Sequence, residues 1–214
     1  MHKKHETIAA IRRNKTIAII RGAEEKTDEL LGSLLRGGIT AAEFPFCGDD
    51  EKIAQRIKLA VREFGDELYI GAGTVTTEKR LALALEADAD YVITPVFDEM
   101  IAEGCKKAGV CSIIGAFTPT EIKSATDSGA DFVKLFPANF LGPDYLKAIL
   151  APLKGTELIV FGGITTENVR SYLEAGAVAA GIGADLVDKK AIESGNFDVI
   201  EEKARKFCRL VADK

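Results

Sequence analysis

The segment Asp131-Phe132-Val133-Lys134-Leu135-Phe136-Pro137 sets one cationic residue in the middle of a short apolar run that otherwise has the marks of a buried strand. An ammonium taken out of water must pair with an acid, reach solvent or give up its proton. In the last case it becomes a nucleophile whose natural target is a carbonyl carbon, with a Schiff base as the product. The heptapeptide alone fits an edge-strand lysine that points at solvent equally well. The residues on either side separate the two readings.

Seven further runs of strand length accompany 132–136 in a steady rhythm, at 16–21, 41–46, 68–72, 91–94, 111–115, 158–161 and 178–183. A helix-like stretch, 6–13, precedes the first of them. Between the runs lie amphipathic patterns, such as 28–36 with Leu30, Leu31, Leu34 and Leu35 on one face. Another is 50–64, with Ile53, Ile57, Ala60, Val61 and Phe64 at helical spacing. Helix-start signals follow three of the strands, at Thr76-Thr77-Glu78, Thr118-Pro119-Thr120-Glu121 and Thr165-Thr166-Glu167. Stop signals stand at Gly37-Gly38, Gly109, Gly129 and Gly176. Strict alternation of strand and helix implies parallel strands with right-handed crossovers. Eight such units close most simply into an α/β fold, a single (β/α)8 TIM barrel with an extra N-terminal helix, spanning 1–214 as one domain. A doubly wound open sheet is the competing arrangement.

At 214 residues and 47% hydrophobic, the chain can bury a full core. Its 28 basic and 33 acidic side chains give a net charge of -5 without a long basic run, which argues against a nucleic-acid partner. No apolar stretch reaches the ~20 residues of a membrane span and none reads as a cleavable leader, so a soluble cytoplasmic protein is expected. The four cysteines, Cys47, Cys105, Cys111 and Cys208, form no C-x-x-C pair and read as reduced thiols. The histidines are His2 and His5 alone, in a polar N-terminal segment, so neither a His-based metal site nor a His-activated nucleophile is expected.

In a barrel, alternate strand residues point inward. Val133 and Leu135 then face the helix layer, and Lys134 faces the interior near its upper end. The second strand repeats the pattern with the opposite charge, since Glu43 alternates with Phe44 and Phe46. A carboxylate and an amine thus enter one interior from different strands. A buried structural salt bridge is the plain alternative, but a tight pair would hold the lysine protonated, so catalysis needs the two groups held apart. Arg21, at the end of the first strand, is a cation placed to help deprotonate Lys134, or else a solvent-facing loop residue. Gly71-Ala72-Gly73-Thr74 resembles the start of a dinucleotide fingerprint, but position 76 is Thr where the third glycine belongs. It reads instead as a tight strand exit whose amides and Thr74 hydroxyl hold an anion. Gly162-Gly163 after the seventh strand and Gly183 after the eighth occupy the usual barrel phosphate site.

Together, Arg21, Glu43 in Ala-Glu-Phe-Pro, Gly71 to Val75, Thr94-Pro95, Gly115, Thr118 to Glu121, Lys134 in Val-Lys-Leu-Phe-Pro, Gly142-Pro143, Gly162-Gly163 and Gly181-Ile182-Gly183 resemble a known family. It is that of 2-keto-3-deoxy-6-phosphogluconate (KDPG) aldolase and 4-hydroxy-2-oxoglutarate (KHG) aldolase, with the 2-keto-3-deoxy-6-phosphogalactonate aldolases equally close around Glu-Phe-Pro and Gly-Pro-Asp-Tyr. The resemblance implies a class I aldolase without metal or cofactor, a homotrimer, that splits a keto acid of Entner-Doudoroff type into pyruvate and an aldehyde. It implies that Lys134 forms the Schiff base and Glu43 moves protons. Arg21 and Thr74 would hold an anionic group, Pro95 and Phe136 would wall the pocket, and Gly162, Gly163 and Gly183 would receive a phosphate.

Two phosphate-binding positions depart from the pattern. Many members carry Thr before the double glycine and Ser after the Gly-x-Gly, whereas this chain has Phe161 and Ala184. Cys47 also stands where some members place an arginine. A keto-acid aldolase acting on an unphosphorylated substrate and a non-catalytic relative that binds a small keto acid are therefore carried as alternatives. So is an isomerase or epimerase that works with paired carboxylates on the same barrel.

Overall fold

The structure is a computed structural model describing residues 2–23 and 25–212. Eight parallel strands close into a barrel in sequence order: β1 (Thr16–Ile19), β2 (Ala41–Pro45), β3 (Tyr69–Gly73), β4 (Tyr91–Ile93), β5 (Cys111–Ala116), β6 (Phe132–Leu135), β7 (Leu158–Phe161) and β8 (Ala179–Ile182). The ring is completed by pairing of β1 with β8, Ile17 against Gly181. Closure removes every free sheet edge, so the edge-strand reading of Lys134 and the open doubly wound sheet both fall away.

Helix α1 (Lys4–Asn14) comes before the first strand, as the 6–13 pattern requires. Its Ile11 is fully buried and joins the interior residues Ile17, Tyr91, Ile113, Phe132 and Phe161, so α1 plugs the N-terminal mouth of the barrel. The helices that follow the strands are α2 (Thr27–Arg36), α3 (Asp50–Phe64), α4 (Glu78–Glu86), α5 (Glu99–Ala108), α6 (Pro119–Asp127), α7 (Gly142–Leu150) and α8 (Val169–Glu174), with α9 (Lys189–Ser194) and α10 (Phe197–Ala212) after β8. Leu30, Leu31 and Leu34 of α2 and Ile53, Ile57 and Ala60 of α3 are buried in the layer between sheet and helices, where the 3.6-residue spacing puts them. The outward strand residues Phe44, Val133 and Leu135, and Phe46 just beyond β2, belong to that same layer.

Two of the three helix-start signals work as N-caps. Thr77 accepts the N–H of Arg80, and Thr118 with Glu121 forms a capping box. The third does not. Asn168 takes the Thr165 N–H on its Oδ1 at 2.9 Å, and the helix starts only at Val169. A turn closed by an Asx side chain competes with helix start here. Gly109 ends α5 in the left-handed region, φ 69, where an L side chain would be strained. Strand bounds agree with the sequence reading within about two residues, the usual uncertainty of such ends. The difference that matters is at β1, which stops at Ile19 and leaves Arg21 beyond the strand. Among the described residues no helix is long and apolar enough to cross a membrane.

Candidate active site

Lys134 and Glu43 both face the barrel interior, as strand parity requires. Lys134 is 7% exposed and Glu43 3%. No ion pair within 4.0 Å joins them, and Glu43 Oε2 is buried without a hydrogen-bond partner. The structural salt bridge is therefore absent, and the two groups are held apart. Burial pushes the Lys134 amine below its ordinary value; the Glu43 carboxylate opposes this, while Arg21 adds to it. Burial raises the Glu43 carboxyl to about 7, against the pull of Lys134 and Arg21. Near neutral pH the site thus holds an amine that is easier to deprotonate than usual and a carboxyl able both to take and to give a proton.

Aromatic rings wall the amine. Lys134 Nζ lies 4.9 Å from the Phe136 ring centroid and 4.5 Å from that of Phe161. Phe136 is 38% exposed and faces the mouth, whereas Phe161 is buried inside the barrel. A Cβ on Gly181, its register partner on β8, would meet the Phe161 ring at 2.1 Å. The sequence shows Phe161 only as a missing hydroxyl; that its ring turns inward onto the lysine depends on β8 offering a glycine opposite.

The glycines of β3 act in the same way. A Cβ on Gly73 would stand 1.8 Å from Glu43 Oε2, and one on Gly71 would stand 2.1 Å from the Tyr91 ring. Both glycines face inward and supply space. Thr74, next in the chain, has φ 56, a region a β-branched residue occupies only where its surroundings demand it. Its carbonyl accepts a bond of 3.2 Å from Arg80 Nη1, and Arg80 is held by Asp50 at 3.0 Å. Gly115 lets β5 pass against Pro95, whose backbone carbon a Cβ there would meet at 2.3 Å. The Thr94 hydroxyl ties these two ends together, accepting the Gly115 N–H at 2.8 Å and donating to Val96 O at 2.7 Å.

Arg21 is exposed, yet its charge reaches both Glu43 and Lys134. It borders a cavity of about 500 Å³ at the β1–β2 side of the mouth, which Cys47, Lys52 and Arg56 also line. On the opposite side, Gly162 and Gly163 have φ 96 and 67; Gly162 packs on Pro137 and Phe136, and Gly163 on Asn139. Gly183 O accepts the N–H groups of Leu186 and Val187. The Asp185 carboxylate there takes the Thr166 N–H at 3.0 Å, so an acid occupies one backbone donor of this loop pair. Sequence reasoning missed Asp185 in that role, and it missed Tyr91, a fully buried interior residue whose hydroxyl has no partner. A tyrosine in an apolar run gives no outward sign that its hydroxyl is orphaned.

The family model for KDPG and KHG aldolase matches residues 7–203. The chain is 31% identical over 210 residues to the 2-dehydro-3-deoxy-phosphogluconate aldolase of Haemophilus influenzae, covering 96% of this chain and 97% of that protein. It is 33% identical over 175 residues to the 2-dehydro-3-deoxy-6-phosphogalactonate aldolase of Escherichia coli (strain K12), covering 79% and 83%. Among solved structures, KDPG aldolase from Legionella pneumophila, with pyruvate captured as a covalent carbinolamine intermediate, superposes with a TM-score of 0.84 at 26% identity. That match covers 92% of this chain and 96% of the other.

Proposed function

Because the chain belongs to the KDPG and KHG aldolase family, and is on that ground an aldolase, we propose that Lys134 is its Schiff-base nucleophile and Glu43 its proton carrier. The observation that carries this is the buried, unpaired amine of Lys134 sharing a closed interior with a carboxyl raised to about 7.

In this reading neutral Lys134 Nζ adds to the C2 ketone of a 2-keto-3-deoxy acid. The carbinolamine loses water to a protonated imine. Glu43, directly or through a water, takes the proton of the C4 hydroxyl as the C3–C4 bond breaks. The bond electrons flow to the imine nitrogen, an aldehyde departs, and an enamine remains. Glu43 returns its proton to C3, and hydrolysis of the imine frees pyruvate and Lys134. Phe136 and Pro95 wall the pocket, and Arg21 and Thr74 take the substrate carboxylate.

Gly162, Gly163 and Gly183 would receive a phosphate through backbone donors alone, since Phe161 is an interior residue and Ala184 has no hydroxyl. An unphosphorylated acid such as 4-hydroxy-2-oxoglutarate, yielding glyoxylate, is favoured over KDPG to that extent. Two lost hydrogen bonds to a charged group, at ~1.5 to 3 kcal/mol each, correspond to roughly 10² to 10⁴-fold in affinity. The same reading includes a cytoplasmic homotrimer serving carbohydrate breakdown of Entner-Doudoroff type. Exposed Val96, Met100 and Phe140, the last 77% accessible, offer apolar surface for a second copy.

Borohydride reduction in the presence of pyruvate tests the core assignment. A covalent adduct on the peptide that contains Lys134 is expected, and an unmodified lysine under saturating pyruvate overturns it. A comparison of kcat/KM for phosphorylated and unphosphorylated acids, with 4-hydroxy-2-oxoglutarate, decides the substrate.

A further inference from the structure

Two buried side-chain oxygens lack a hydrogen-bond partner among the described residues, Glu43 Oε2 and the Tyr91 hydroxyl. They are neighbours by construction. Glu43 on β2 pairs in register with Gly71 on β3, and Gly71 pairs with Tyr91 on β4, so the three form one inward row. Strands lie ~4.8 Å apart, which sets the Glu43 and Tyr91 Cα atoms about 10 Å from each other with a side-chain-free residue between them. The Tyr91 ring fills that gap, its Cε2 standing 2.1 Å from where a Gly71 Cβ would be, so it leans across β3 toward β2. Glu43 leans upward from the same row, its carboxylate above Gly73. Oxygen atoms buried without partners are rare in proteins because each gives up its hydration, and two in one row are complementary.

We propose that Tyr91 is a positioning residue for the acid-base group: its hydroxyl serves the Glu43 carboxyl from the interior through one enclosed water, since the two oxygens do not bond each other directly. The inference rests on the assignment of Glu43 as proton carrier. A hydroxyl suits the task because it donates to a carboxylate and, after rotation, accepts from a carboxylic acid. The same partner therefore serves both protonation states that Glu43 visits in a turnover. Burial raises the Tyr91 phenol well above its ordinary value, and the charges of Glu43, Asp90 and Cys111 push the same way, so it stays protonated throughout. Around Glu43 the other charged groups are Lys134 of β6 and Arg21 beyond β1. Neither belongs to the inward row of Glu43, Gly71 and Tyr91.

The sign of the effect follows. A bond donated to a charged carboxylate is stronger than one accepted from a neutral acid, so Tyr91 favours the ionised form of Glu43. Removing the hydroxyl in Tyr91→Phe, which keeps the ring over Gly71, should move the acidic limb of the kcat/KM profile upward by about one to two pH units. It should also slow enzyme-catalysed deuterium exchange of the pyruvate methyl group at pH 7 about tenfold or more, while borohydride trapping of pyruvate on Lys134 at high pH is unchanged. An unmoved limb with wild-type exchange overturns the inference, because a tyrosine that only fills space would give that result. If Tyr91→Phe does not fold, site-specific Tyr91→3-fluorotyrosine decides: its more acidic hydroxyl should move the limb downward, and no movement overturns the proposal. A wild-type protein that pyruvate and borohydride fail to label would bring down the Lys134 assignment itself, and this inference with it.

Discussion

The Phe161 ring centroid lies 4.5 Å from Lys134 Nζ, inside the barrel and one strand away from it. An aromatic ring thereby becomes part of the wall around the proposed nucleophile. A ring face attracts a cation, so Phe161 steadies the ammonium and, in the proposed mechanism, would steady the protonated imine, while the burial to which it contributes works against charge. The directions oppose, and the amine remains below its ordinary value because burial is the larger effect.

Lys134→Met should lower turnover by at least roughly 10³-fold and abolish borohydride labelling by pyruvate. Mass spectrometry of the peptide containing residue 134 measures the second effect, and retained turnover in this variant would remove the nucleophile from the mechanism.

Glu43→Gln should reduce kcat by about 10² to 10⁴-fold while pyruvate still labels Lys134, because proton transfer is lost and amine addition is not. Stability gives an independent check. The folded-state value of Glu43, about 7, lies above the ordinary 4.5, so its favourable contribution is complete below the unfolded value and is lost as pH rises through 7. Glu43→Gln should therefore unfold at higher denaturant than wild type at pH 8, by roughly 2 to 4 kcal/mol, and match it near pH 4.

Phe161→Leu removes the ring from the amine and should cost stability of about 1 to 3 kcal/mol through imperfect repacking against Gly181. Loss of the cation–π contact lowers the Lys134 value further. Pyruvate trapping should then persist to more acidic pH than in wild type, read as a downward shift of the labelling profile by up to about one unit.

Gly73→Ala inserts a methyl group 1.8 Å from Glu43 Oε2 as the carboxyl now stands, so the carboxyl must move. The expected result is a drop in kcat with labelling of Lys134 preserved, and an overpacking cost of about 1 to 3 kcal/mol in denaturant titration. Gly71→Ala should be the more destabilising of the two, since the neighbour it strikes is the buried Tyr91 ring and not the end of a flexible side chain.

How far the chain could be read in advance follows from the range over which each signal acts. Strand and helix alternate with local periods of about 2 and 3.6 residues, so the eight units, the inward parity of Lys134 and Glu43, and the outward parity of Phe44 and Val133 were all visible in short windows. The start of α8 was misread because Thr165 and Asn168 close a turn on each other before the helix forms, a local contest that composition leaves undecided. Arg21 was placed on a strand that stops two residues earlier, yet its charge still acts on the site.

Linear order alone established an alternating barrel former with an amine and a carboxyl turned into one cavity. Which partners those groups meet came from closure of the ring. Register laid Gly71 between Glu43 and Tyr91 and set Gly181 opposite Phe161, pairings between segments about 20 to 50 residues apart that no local period encodes. The physical cause is that a side chain's direction is a property of its own strand, whereas the space it enters is defined by what the neighbouring strands leave empty.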